Sequence, residues 1–118
     1  MNAAEVAFVG PLSYRFPVLT ETFAEHLADQ DGEVLPHVFM GDVTRWLLER
    51  LRVHGPKDAT LREILGFLEE WFTRRNGRVD ELLAVSFLEN LPRSPEPGSE
   101  LRSLLGPALR EELRRLGV

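Results

Sequence analysis

The residues best suited to chemistry lie between positions 35 and 46, in the order Leu35-Pro36-His37, Gly41-Asp42 and Arg45-Trp46. On a helix His37 and Gly41 stand about one turn apart, so the missing side chain at Gly41 could leave the imidazole exposed. Asp42 and Arg45, at i and i+3, can meet on one face. General acid–base work requires an imidazole held by a carboxylate. His37 and Asp42, however, stand about 500° apart around a straight helix, a poor angle for direct contact. The structural alternative is that His37 caps or packs near the helix start while Asp42 pairs with Arg45. His37, Asp42 and Arg45 are therefore a candidate functional cluster, and no residue is assigned a catalytic role.

Other chemistry finds less support. His26, His37 and His54 fall on or near different helix ends, and no H-x-x-E or H-E-x-x-H spacing joins them to carboxylates, so no metal site is expected. The chain has no cysteine, which removes disulfides, zinc–thiolate sites, iron–sulfur clusters and thiol nucleophiles. There is no phosphate-binding glycine loop and no dinucleotide fingerprint, and no cofactor is expected. Ser86, in Val85-Ser86-Phe87, lacks the glycines of a nucleophile elbow and reads as a small residue that lets helices pack closely.

A surface offers more. Glu21, Glu25 and Asp29 recur at i, i+4 and i+8, and Asp31 and Glu33 follow, so these five are the candidate partner-binding residues. Such a stripe is often only a solvated face. Here no lysine or arginine is interleaved with it, so it is not laced by salt bridges and would steer basic partners. Through Thr44 there are seven acids against one base, Arg15, whereas the remainder is close to neutral. The overall net charge of −5 and its placement argue against nucleic-acid binding, which rests on basic patches. Trp46, Trp71 and Phe72, at helical spacing, read as core.

The elements that must position these residues are helices. Residues 1–16 are weakly patterned, with Gly10-Pro11 marking a turn and Glu5–Val9 the only stretch that could pair as a short strand. Phe16-Pro17 opens a helix with the stripe Leu19, Phe23 and Leu27, ended by Asp31-Gly32. Leu35-Pro36 opens a second, carrying Val38, Phe39, Val43, Trp46, Leu47 and Leu51 as far as His54-Gly55-Pro56. Thr60-Leu61-Arg62-Glu63 has the form of a capping box for a third, stopped by Asn76-Gly77. The fourth, from about Val79 to Leu91, is apolar around much of its circumference and should be central. Residues 92–98 form a proline-rich loop. Ser99 caps a last helical region that Gly106-Pro107 must kink or split, leaving an amphipathic tail rich in arginine.

Length and composition agree with this pattern. The 118 residues suit one domain, and 43% hydrophobic with 28% charged residues is a globular composition. The expected fold is all-α, a single compact domain of five to six helices over 1–118. No apolar run approaches the roughly 20 residues that cross a bilayer, and the N-terminus lacks a basic, then apolar, leader, so a cytoplasmic location without membrane association is expected. Lys57 is the only lysine, a bias that a GC-rich genome would produce.

The segments Leu35-Pro36-His37, Gly41-Asp42, Arg45-Trp46, Phe67-Leu68-Glu69, Ser86-Phe87-Leu88-Glu89-Asn90 and Leu105-Gly106-Pro107 stand in an order that resembles a family of short bacterial helical proteins. The resemblance spans about Phe16 to Leu113, with Ser86–Leu91 and Leu-Pro-His its most specific parts. It carries over no catalytic residue. Small acidic helical proteins of this kind are also similar to bacterial immunity proteins, which bind and block a cognate toxin. That similarity implies a protein partner, such as a basic nuclease toxin, docked on the acidic first third. Two alternatives stand beside it: a homo-oligomeric adaptor or regulatory module using an apolar patch on the C-terminal helices, and an enzyme built on His37, Asp42 and Arg45. The chain could act as a monomer or as a homodimer.

Overall fold

The computed structural model describes residues 3–118. They form six α-helices: α1 (Ala3–Arg15), α2 (Thr20–Asp29), α3 (Pro36–His54), α4 (Ala59–Thr73), α5 (Gly77–Ser86) and α6 (Pro107–Leu116). Short 3₁₀ segments at Pro17–Leu19, Leu88–Asn90 and Ser99–Leu104 complete the regular structure, and there is no strand among the described residues. The fold is all-α, as expected.

The first helix is a departure from expectation. Residues 3–15 are helical, where a weakly structured segment with a turn at Gly10-Pro11 or a short strand at Glu5–Val9 is suggested by the sequence; Met1 and Asn2 lie outside the described residues. The reason is burial. Phe8, Leu12 and Phe16 recur every four residues and, with Val9, are all buried. Each such side chain contributes about 1.5–3 kcal/mol, which together outweighs the roughly 3 kcal/mol that a proline such as Pro11 costs inside a helix. Phe8 meets Trp71 edge-on at 5.4 Å between centroids, and Phe16 meets Phe67 at 5.5 Å, tying α1 to α4.

The core sits between α3 and α5. The α3 helix packs on α1, α2, α4 and α5, and α5 packs on α1, α3 and α4, which gives it the expected central position. Phe39, Val43, Leu47, Leu82, Leu83 and Phe87 are completely buried there. The α5 helix is shorter than its apolar run suggests. It ends at Ser86, and Phe87 (φ −119°, ψ −67°) breaks it before the 3₁₀ turn at Leu88–Asn90.

Helix ends are set by polar residues, in places one step from where local sequence puts them. The N-cap of α4 is Asp58, whose carboxylate accepts the Leu61 N–H at 2.9 Å; the Thr60–Glu63 capping box does not form. Asn76 does not close α4 but opens α5, accepting the N–H groups of Arg78 and Val79. Arg75, at φ 59°, takes the left-handed position between the two helices. Residues 92–98 are a loop, as expected, held by Arg102, whose guanidinium donates to the carbonyls of Leu91, Pro92 and Val118 at 2.6–2.9 Å. Ser99 does not cap the next segment, which is 3₁₀ rather than α-helical; Gly98 takes the cap position at φ 92°. Gly106-Pro107 does separate that segment from α6.

Candidate functional site

The turn from α2 into α3 organises the site. The α3 helix begins at Pro36, and its N-cap, Leu35, has no side chain able to satisfy the exposed amides of the first turn. The partner for the Leu35 N–H comes from α2: His26 accepts it on Nε2 at 3.0 Å. His26 is 1% exposed, lying against the rings of Phe23 and Phe39. Because Nε2 is an acceptor, the neutral ring carries its proton on Nδ1. That nitrogen has no hydrogen-bond partner and stands 3.6 Å from Oδ2 of Asp42.

Asp42 thus stands beside a histidine of another helix, His26 of α2, and not beside His37 of its own, in keeping with the poor angle between positions 37 and 42. Its other oxygen is held by Arg45, the expected i,i+3 pair. His37 turns elsewhere, with Nδ1 2.7 Å from the Ser86 hydroxyl on α5. The cluster His37, Asp42 and Arg45 is therefore not assembled: Asp42 and Arg45 are brought together, and His37 belongs to the α3–α5 contact. The room over Gly41 is likewise filled by Arg45, whose Nη1 lies 3.7 Å from where a Cβ would stand.

Ser86 is 5% exposed, and its hydroxyl is engaged with His37. Its carbonyl accepts from Asn90 at 3.0 Å and lies 3.2 Å from the Thr44 hydroxyl, so the residue acts as a knot between α3 and the end of α5. Glu69 is also engaged. Its two oxygens accept the N–H groups of Ala108 and Leu109 at 2.8 and 2.9 Å, capping α6 from another helix. Among the described residues no group of three or more histidine, aspartate or glutamate side chains is placed to hold a metal ion.

Above His26 and Asp42 lies a cleft between α2 and α3 of about 320 Å³. Glu25 and Asp29 line it from α2, Asp42, Arg45, Trp46 and Glu49 from α3. Trp46 is half-buried, with Arg50 lying over its ring at 5.8 Å. It is thus a cleft wall as well as a core residue. Glu49 is paired with Arg52, and this contact holds its carboxyl below the usual range.

The five acids singled out by sequence, Glu21, Glu25, Asp29, Asp31 and Glu33, are all exposed and none forms an ion pair. Three other helices lace charges at i,i+3 or i,i+4: Asp42–Arg45 and Glu49–Arg52 on α3, Glu70–Arg74 on α4, Glu111–Arg114 and Glu112–Arg115 on α6. The acidic stripe of α2 and the turn after it differs from these in having no cation of its own.

Local sequence does not reveal the partners of His26 or Glu69. A signal for His26 was present, since it falls with Leu19, Phe23 and Gln30 on the inward side of α2, an unusual place for a polar ring unless it has a partner. Glu69 carried none, because its partner is some forty residues away in the chain.

A family model described as "Domain of unknown function (DUF7674)" matches residues 9–117, and the chain belongs to that family. No curated protein and no solved structure matches it. No helix among the described residues is long and apolar enough to cross a membrane.

Proposed function

We propose that this protein is a protein-binding inhibitor of the immunity-protein kind, which neutralises a basic protein toxin by covering the toxin's positive surface with the acidic face of α2 and the turn that follows. One observation carries the reading: Glu21, Glu25, Asp29, Asp31 and Glu33 are exposed and form no ion pair, whereas α3, α4 and α6 each carry acid–arginine pairs at i,i+3 or i,i+4. Unpaired like charges in a row repel one another and give the isolated protein no stability. They do create a field that accelerates encounter with a basic partner and selects against acidic ones. The test is growth protection. Co-expression with a growth-arresting basic protein encoded beside this chain should restore growth, and Glu21→Lys, Glu25→Lys and Asp29→Lys together should abolish the rescue. Unrelieved arrest by the unaltered chain overturns the reading.

A second reading, a homo-oligomeric adaptor, draws on α1 rather than on the C-terminal helices. The outward side of α6 carries Arg110, Glu111, Arg114 and Arg115 and is no apolar patch. By contrast Ala3, Val6, Ala7, Gly10, Pro11 and Tyr14 are exposed along α1 without a charge among them. Light scattering separates the readings: a stable dimer of the isolated chain supports the adaptor, and a monomer supports the inhibitor.

A further inference from the structure

The cleft between α2 and α3 has more carboxylates than cations. Glu25 and Asp29 enter it without an ion pair, Asp42 is shared with Arg45, and Glu49 is held by Arg52. Arg45 is itself 70% exposed, so its hold on Asp42 is made in water, where such pairs contribute little. One wall is the indole of Trp46, a surface that attracts cations, as Arg50 beside it already illustrates.

Asp42 is aimed at from below as well. Nδ1 of the buried His26 stands 3.6 Å from Oδ2, has no hydrogen-bond partner, and keeps its proton in the neutral ring because Nε2 accepts the Leu35 N–H. The cleft therefore has a floor: a carboxylate backed by an unsatisfied buried donor, with Arg45 drawing its other oxygen outward.

We infer that this cleft is the receptor for one cationic side chain of the partner, an arginine in preference to a lysine, which displaces Arg45 from Asp42 and lies against Trp46. The inference rests on the reading of α2 as a partner-binding face and narrows it to a single anchoring contact. Arginine is preferred because a planar guanidinium can bond a carboxylate in fork fashion and stack on an indole together, which a compact ammonium cannot. Arg45 then acts as an internal occupant that the partner must outcompete.

The experiment is an NMR titration of the full chain with Nα-acetyl-arginine methylamide, the matching citrulline amide as its uncharged isostere, and the lysine amide. The arginine probe should shift the Trp46 indole N–H, the Glu25, Asp29 and Asp42 amides and the His26 Nδ1–H, and the citrulline probe should not. Arg45→Gln should tighten binding about threefold by removing the competitor, whereas Arg114→Gln, an equal change in net charge on α6, away from the cleft, should leave it unaltered. Asp42→Asn, checked by circular dichroism to be folded, should weaken it about fivefold. Equal shifts from citrulline, or equal gains from Arg45→Gln and Arg114→Gln, overturn the cleft as a cation receptor. Equal binding of the lysine probe overturns the arginine preference. If growth protection succeeds while the arginine probe fails to bind, the acidic face stands and the cleft falls; if the probe binds and protection fails, the reverse holds.

Discussion

Glu69 and Gly106 fit together so closely that a Cβ on Gly106 would stand 2.5 Å from Cδ of Glu69 and 2.8 Å from its Oε1. No side chain can share that space with the carboxylate. The absence of one at Gly106 is what allows a glutamate from α4 to reach the first amides of α6. Phe67-Leu68-Glu69 and Leu105-Gly106-Pro107, apart in sequence, are the two halves of one helix cap, just as Leu35-Pro36-His37 and Ser86 are joined through the His37–Ser86 bond. Both pairings join helices that are distant in the chain.

The cap predicts a coupled pair of substitutions. Gly106→Ala should destabilise the fold by about 1–3 kcal/mol through overpacking. Glu69→Ala should cost about 0.5–2 kcal/mol as a lost cap. In the Glu69→Ala background the Gly106→Ala penalty should largely vanish, since the colliding carboxylate is gone. Urea unfolding of the four proteins measures this, and strictly additive costs would refute the fit described.

His26 should matter through its acceptor nitrogen. His26→Leu keeps the site apolar but leaves the Leu35 N–H at the start of α3 without a partner, at a cost of about 1–3 kcal/mol. His26→Gln, which retains an acceptor oxygen, should be milder. Thermal unfolding of both variants is the check, and a leucine variant as stable as the parent would contradict the role assigned to the ring.

The pH dependence of stability should have a contribution from Asp58. The Arg50 guanidinium, and next the Leu61 N–H, hold its carboxyl below the usual range. A carboxyl lowered in the folded state lends stability that is present above its unfolded value and is lost as pH falls through the folded one. Asp58→Asn keeps a competent N-cap but gives up the ion pair with Arg50. The variant should therefore be the less stable protein at neutral pH and should converge with the parent in acid, below the usual carboxylate range. A gap that persists unchanged into acid would place the difference in the cap and not in the charge.

Much of the fold is legible from hydrophobic spacing. Phe39, Val43, Leu47 and Leu51 mark the inner face of α3, and Pro36 and Gly55 bound it. Reading fails where a global gain overrides a local signal. Gly10-Pro11 looks like a turn until Phe8, Leu12 and Phe16 are seen to need a helix to reach Phe67 and Trp71. Asn76 looks like a stop and is a start, because an asparagine before a helix and one after it have the same local appearance until the amides it accepts are located. The acidic stripe is legible because it is periodic within one helix. The cleft beneath it is not, since Glu25, Asp42 and Trp46 are joined only when α2 folds back on α3, and the Asp42–His26 relationship crosses that same turn.

The proposed function depends on the field of the α2 face. Its most direct test is the association rate, by stopped flow, of the chain with a basic protein whose growth arrest it relieves on co-expression, across a range of salt. The parent rate should fall steeply as salt rises, and Glu21→Lys/Glu25→Lys/Asp29→Lys should associate at least about tenfold more slowly at low salt, with a nearly flat salt dependence. Because all three residues are exposed and unpaired, the variant should keep the parent's unfolding midpoint. Equal rate constants and equal salt slopes for the two proteins would contradict it.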